Sequence, residues 1–293
     1  MWLVLGGSGF LGPALRAARP RDEFLFTHSA HPQEGSAHFD VRSSSIRELL
    51  RIAGKRPKAA LILAGVTNID ACARDPEGTR KINVEGIVRI IDELNTLGVR
   101  PVFTSSDAVF DGSRAMWREH EEVRPILTYG RQKLEVENYL AASKSPSLTV
   151  RLPKLLMEAR NPRCMITGWV EALGRGEEIR CATDQFFTPA SATDAAAAML
   201  DLADGGATGL YQLGGPERLG RRELLGAVLD EYAKQRAPKA RIVECSLRDI
   251  AVLEPRPLDQ SMDTSRYQAL GLARLRPASE VARLSVRDNL RRL

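Results

Sequence analysis

Apolar residues fill positions 2–5 without a break, Trp2-Leu3-Val4-Leu5, and the run gives way abruptly to Gly6-Gly7-Ser8-Gly9-Phe10-Leu11-Gly12. An uninterrupted apolar run closed by a turn signal predicts a strand covered on both faces. Runs of the same kind predict further strands over residues 23–27, 37–41, 59–64, 99–105 and 148–152. Between them the apolar spacing changes to that of helices. One helix opens near Phe10 and runs through Ala14, Leu15 and Ala18. A second covers 46–53, with Ile46, Leu49, Leu50 and Ala53 on its apolar side and Ser43 or Ser44 as its cap. A third spans 79–97 and stops at Gly98, and a fourth spans 128–142. Strand and helix therefore alternate from residue 2 to residue 152 with no hairpin signal, which predicts an α/β fold on a doubly wound parallel sheet of the Rossmann type. The later pattern is less regular: helices over 165–173, 193–202 and 222–232, a strand over 210–213, and a loop at Pro255 and Pro257 before a final helical region.

Composition narrows the class. A chain of 293 residues, 43% hydrophobic and 27% charged, can bury a substantial core. No apolar stretch approaches the roughly 20 residues of a membrane span. Met1 leads directly into the first strand, with neither a basic leader nor a cleavage site, so no signal peptide is expected. Cys72, Cys164, Cys181 and Cys245 lie far apart, with no CxxC and no paired histidines, so no metal site and no disulfide framework are expected. A reducing cytoplasm is the matching compartment. The formal charge of +5 and pI of about 9.2 invite a nucleic-acid reading. The basic residues are nevertheless scattered among 37 acidic ones and aromatics make up 5%, which suits a basic pocket for a phosphorylated ligand at least as well.

Two constellations carry chemistry. Gly6, Gly9 and Gly12 repeat every three residues directly after a strand and at the opening of a helix, a placement that lets a pyrophosphate approach the backbone. An NAD-preferring site usually carries an acidic residue at the end of the second strand, whereas this chain reads Thr27-His28-Ser29. His28 and Ser29 suit a 2′-phosphate, which predicts NADP as cofactor, with NAD left open. The second constellation is Tyr129 and Lys133, four residues apart and hence on one helix face. They follow a strand ending in Thr104-Ser105-Ser106-Asp107, and the carboxyl end of a strand is where ligands lie in such sheets.

With these residues in hand, the chain resembles the extended short-chain dehydrogenase/reductases, specifically the dTDP-4-dehydrorhamnose reductase family. The matching segments are residues 6–12, 64–72 (Ala-Gly-Val-Thr-Asn-Ile-Asp-Ala-Cys), 82–86 (Ile-Asn-Val-Glu-Gly), 105–112 (Ser-Ser-Asp-Ala-Val-Phe-Asp-Gly) and 129–135 (Tyr-Gly-Arg-Gln-Lys-Leu-Glu). Asp184-Gln185 with Thr188-Pro189, and Arg256-Pro257 with residues 258–264, complete the series in family order. The resemblance implies a cofactor-binding domain over 1–160, to which a strand and helix near 185–213 return, and a smaller substrate-binding domain mainly over 161–293. It implies an NAD(P)H-dependent reduction of a keto group on a nucleotide-linked sugar, with Tyr129 as general acid, Lys133 lowering its pKa and holding the nicotinamide ribose, and Ser106 donating to the substrate oxygen. Gly6, Ser8, Gly9, Phe10, Leu11 and Gly12 would meet the pyrophosphate, Asp40 and Val41 the adenine, and Ala64, Gly65 and Val66 the cofactor's path. Asn83 would order the neighbouring helix or a water. Thr67, Ser106, Asp107, Lys154 and Gln185 are the substrate candidates.

Departures from the family pattern bear on specificity. The family commonly reads Arg-Thr-Ser-Trp where this chain has Arg151-Leu152-Pro153-Lys154, so an aromatic platform is replaced by a lysine that either pairs with an anion or extends from a surface loop. Phe186 and Phe187 stand where smaller residues are usual. Dehydration needs an Asp-Glu pair, and Asp107 is followed by Ala108, so that reaction lacks its second carboxylate. An epimerase keeps the same Ser, Tyr and Lys, and some relatives are non-catalytic NADP-binding regulatory subunits of another enzyme; both stand as alternatives. The expected partner is a small molecule, with no nucleic acid and no membrane, and a homodimer is left open.

Overall fold

The computed structural model describes residues 1–292. The chain divides into two compact units, one of residues 1–109, 124–151 and 196–211, the other of residues 110–123, 152–195 and 212–293.

The first unit is organised by a seven-stranded sheet. Its strands are β1 (Trp2–Leu5), β2 (Phe24–His28), β3 (Ser36–His38), β4 (Ala59–Ile62), β5 (Arg100–Ser106), β6 (Leu148–Leu152) and a last strand, Gly209–Gln212. They lie side by side in the order β3-β2-β1-β4-β5-β6 followed by Gly209–Gln212, with β1 parallel to β2 and β4, β2 to β3, and β4 to β5. Sequence order reverses between β1 and β4, and at such a switch point the carboxyl ends of neighbouring strands part to admit a ligand. All four residues of β1 and all four of β4 are buried, which is why their sequences show no alternation.

The helices are α1 (Gly12–Ala18), α2 (Ile46–Ala53), α3 (Ile69–Arg74), α4 (Pro76–Arg80), α5 (Ile87–Thr96) and α6 (Thr128–Ala142). Ile87, Ile90, Ile91 and Leu94 of α5 pack with Leu3, Leu5, Ile62 and Phe103 of the sheet in one core.

Three local expectations are corrected. The first helix begins at Gly12, not near Phe10, because residues 6–12 fold on themselves as a turn, the Gly9 N–H donating to the Gly6 carbonyl (2.9 Å) and the Gly12 N–H to that of Gly9 (3.3 Å). The cap of α2 is Ser45, whose Oγ accepts from the Glu48 N–H, while the Ser44 hydroxyl accepts from the Asp40 N–H (2.9 Å) and is committed there. The helix expected over 79–97 is interrupted: α4 widens into a π-helical stretch, Lys81–Gly86, before α5 resumes the α pitch. The α6 and β6 bounds coincide with those read from the periodicity.

In the second unit, α7 (Met165–Arg175), α9 (Arg221–Ala233) and α11 (Ala278–Arg291) pack on one another, and Val170, Leu173, Val228, Tyr232 and Val286 along them are buried. Helix α8 (Ala192–Asp204) starts in this unit and ends in the first, and α10 (Ser265–Gln268) is a single turn. Short strands pair locally: Ile179–Ala182 with Ile242–Cys245, Phe186–Phe187 with Leu219–Gly220, and Leu155–Leu156 with Ala190–Ser191. Among the described residues no helix is long and apolar enough to cross a membrane.

Candidate active site

Gly6 ends β1 with φ +83°, a left-handed conformation open to glycine, and a Cβ there would lie 2.8 Å from the Ala64 backbone. The glycine turn and the loop after β4 are thus in direct backbone contact. A Cβ at Gly9 would meet the Gly6 carbonyl oxygen at 3.0 Å, so the turn is tightest with glycine there. Ser8, Phe10 and Gly9 are half-buried, and Leu11 and Gly12 are buried under them.

At the carboxyl end of β5, Ser106 donates its hydroxyl to Asp107 Oδ1 (2.9 Å) and accepts from the Ala108 N–H (3.2 Å). Helix α6 lies against this corner because its second residue after the start is Gly130: a Cβ there would be 2.0 Å from the Ala108 carbonyl oxygen. The close approach buries Tyr129 (8% exposed) with Cys72, Ala108 and Leu127. Burial, followed by the Asp107 carboxylate and Cys72, pushes the Tyr129 phenol well above its ordinary pKa, so the phenol keeps its proton. Lys133 (5% exposed) donates to the Thr104 carbonyl (2.8 Å), and its ammonium lies 4.6 Å from the Phe103 ring centre and 5.6 Å from that of Tyr129. Burial lowers its pKa to about 8, against the opposing pull of Glu137. Glu137 is itself paired with Arg151 of β6 (2.7 Å), an ion pair buried on both sides that ties α6 to the sheet.

The remaining sequence-predicted residues fall into distinct places. Asn83 sits inside the π-helical stretch, 3% exposed, with its amide turned to the loop after β4 rather than to open space: Oδ1 accepts from the Val66 N–H (2.7 Å) and Nδ2 donates to the Val66 carbonyl (2.9 Å). Ala64 and Val66 are half-buried in that loop, and Gly65 and Thr67 are exposed. At the other edge of the site, Asp40 accepts from the Arg42 N–H, Nε and Nη2, and these bonds hold its carboxyl at about 2. Val41 is buried, His28 Nδ1 pairs with Ser36 Oγ (2.7 Å), and Ser29 is exposed. In the second unit, Gln185 Oε1 accepts from Arg221 Nη1 (3.1 Å), and Lys154 is exposed on the loop after β6. The structure therefore brings Ser106, Asp107, Tyr129, Lys133, Asn83 and Val66 together within the first unit.

Sequence reading overlooked two residues of this cluster. Gly130 carried a signal, since a glycine inside an otherwise good helix needs a reason. Gln132 (4% exposed) carried none; it accepts from Asn83 Nδ2 (2.7 Å) and donates to Thr79 Oγ1 (3.0 Å) and the Pro76 carbonyl (3.1 Å).

A parallel sheet with a glycine turn at its switch point, and a buried Tyr and Lys one helical turn apart beside a Ser at a strand end, define a nucleotide-binding α/β protein equipped for proton transfer. The chain belongs to the family described as the RmlD substrate binding domain, whose model matches residues 1–289. It is 29% identical over 203 residues to a dTDP-4-dehydrorhamnose reductase of Sinorhizobium fredii, a match covering 68% of this chain and 65% of that protein. It is 22% identical over 313 residues to the methionine adenosyltransferase 2 subunit beta of Xenopus tropicalis, covering 98% of this chain and 86% of that one. In structure it is similar to a dTDP-4-dehydrorhamnose reductase of Bacillus anthracis, solved in complex with NADP, with a TM-score of 0.82 at 19% identity and 96% of each chain covered.

Proposed function

We propose that the chain is an NADPH-dependent reductase of a keto group on a nucleotide-linked sugar, of the dTDP-4-dehydrorhamnose type. The observation that carries this reading is the half-buried Ser106 at the end of β5 with the buried Tyr129 and Lys133 of α6 packed against that strand, in the same unit as the glycine turn. The Sinorhizobium reductase is the relative that supports it, and the NADP seen with the Bacillus protein supports the coenzyme. The absence of a carboxylate at Thr27-His28-Ser29 points the same way.

Gly6, Ser8, Gly9, Phe10, Leu11 and Gly12, with Ala64, Gly65 and Val66, would hold the coenzyme, which supplies the hydride. The substrate's keto oxygen gathers negative charge as the hydride arrives and must be protonated. Tyr129 is the donor: burial and the Asp107 carboxylate keep the proton on its oxygen until a stronger base forms. Lys133, charged below about pH 8, stabilises the phenolate left behind through the field of its ammonium across the Tyr129 ring. Ser106 has one hydroxyl proton; turned from Asp107 to the keto oxygen, it adds a second donor. The intact cluster is why catalysis is preferred to a purely regulatory role, and none of the four cysteines is joined in a disulfide, which suits the cytoplasm.

The test is incubation of the protein with NADPH and a panel of nucleotide-linked 4-keto sugars that includes dTDP-4-dehydrorhamnose, following the loss of NADPH absorbance. Stoichiometric oxidation with one of the panel is the expected result. Bound coenzyme that stays reduced with every sugar, while sugars are interconverted, would replace the reductase by an epimerase.

A further inference from the structure

The amide protons of two buried side chains, Gln132 and Asn83, are engaged between the helix of Tyr129 and Lys133, the α4 and π-helical segment, and the loop after β4. Gln132 lies between those two residues in α6, and its side chain faces the α4 and π-helical segment. Its Nε2 donates to the Pro76 carbonyl and Thr79 Oγ1, and its Oε1 accepts from Asn83 Nδ2. Asn83 spends its other donor on the Val66 carbonyl and its acceptor on the Val66 N–H. An amide offers two donors and one oxygen, so neither side chain has a donor left for a ligand. The Asn83 oxygen would also lie 2.9 Å from a Cβ at Gly65, so the loop follows wherever that oxygen is held. The same loop touches the glycine turn, Ala64 lying against Gly6.

We infer that Gln132 is a positioning residue: by fixing the orientation of the Asn83 amide it sets the backbone of residues 64–66 against the glycine turn, and so couples the catalytic helix to the coenzyme's seat. This rests on the proposed function for the identity of the coenzyme, though not for the coupling itself. Without an acceptor at position 132, the Asn83 Nδ2 proton that it held is left with only the weaker Cys72 Sγ acceptor (3.7 Å), and the amide is free to turn away from Val66. In a water-poor site that loss is felt by the groups it was holding. Thr79 and Pro76, the other partners of Gln132, belong to α4, and among the described residues neither hydrogen-bonds to residues 64–66.

The test compares wild type with Gln132→Met in two readouts. Amide hydrogen exchange, followed by mass spectrometry without coenzyme, should show residues 63–68 exchanging at least about tenfold faster in the variant while α6 exchanges near wild type and the thermal midpoint falls by only several degrees. Fluorescence titration should show NADPH bound about tenfold more weakly, equivalent to about 1.4 kcal/mol. Adding Asn83→Ala to Gln132→Met should weaken NADPH no further than Asn83→Ala alone, because both act through one amide. Unchanged exchange at 63–68, unchanged NADPH affinity, or effects that simply multiply in the double variant would overturn the inference. Should Gln132→Met fail to fold, Gln132→Asn, too short by one methylene to reach Asn83, carries the same expectations. A wild-type protein that binds no NADPH would instead count against the coenzyme assignment, with the exchange arm still deciding the role of Gln132.

Discussion

The two units hold their candidate functional groups in opposite ways. In the first, Tyr129, Lys133, Asn83 and Gln132 are all buried, and the last three are bonded to backbone carbonyls of β5, the loop after β4 and α4. In the second, Lys154 stands in solvent on the loop after β6, and Gln185 is half-buried against Arg221. Proton transfer needs donor and acceptor fixed to a fraction of an ångström, whereas choosing among substrates tolerates adjustable contacts. On the proposed function, the contrast assigns the chemistry to buried, backbone-bonded side chains and substrate choice to more exposed ones.

The strongest way to break this division is Tyr129→Phe. Removing one oxygen should lower turnover on the order of 10²-fold or more with NADPH affinity nearly unchanged, as measured by steady-state rates beside a coenzyme titration. Turnover within a fewfold of wild type would move the chemistry elsewhere. Next is Gly130→Ala. Helix propensity alone favours alanine by up to about 1 kcal/mol. A Cβ 2.0 Å from the Ala108 carbonyl forces α6 away from the Ser106 corner, so the variant should lose on the order of 1–3 kcal/mol of stability by denaturant melts. A gain in stability would show that the approach of α6 is not tight.

The pH dependence of Lys133 sharpens the comparison further. With its pKa lowered to about 8, the ammonium is charged below that value, and kcat/KM should fall about tenfold per unit above it. In the unfolded chain a lysine titrates near 10.4, so between about pH 8 and 10 the unfolded state binds more protons and wild type gains stability relative to Lys133→Met as pH rises. A stability difference that is flat across this range would mean the lysine is not desolvated. The smallest effect belongs to Lys154→Ala: an exposed lysine contributes about 1 kcal/mol or less, so substrate affinity should change by no more than roughly fivefold. A loss of a hundredfold would place Lys154 in a desolvated contact and undo the contrast.

The architecture of the first unit was legible because strands covered on both faces leave uninterrupted apolar runs, as in β1 and β4. Tyr129 and Lys133 were legible for a related reason: four residues on a helix always share a face. Gln132 was not, since a buried glutamine has no spacing signature and its value lies in partners on a different helix. The π-helical stretch was hidden too, because a one-residue change in hydrogen-bond register leaves composition and apolar spacing almost unaltered. Strands of two residues, such as Phe186–Phe187, are too short to show any period, which is why the second unit read as irregular. The cap at Ser45 against Ser44 was decided by a contact with Asp40 that only the folded chain makes.

On the proposed function, NADPH would pass a hydride to a keto group while Tyr129, supported by Ser106 and Lys133, supplies the proton. The most direct measurement supplies NADPH deuterated at the transferring carbon of the nicotinamide, together with dTDP-4-dehydrorhamnose or whichever keto sugar of the panel is consumed, and weighs the product. One deuterium per sugar, lost in step with Tyr129→Phe, is the predicted result. Sugar product carrying no deuterium, or deuterium arriving equally fast without the Tyr129 hydroxyl, would contradict it.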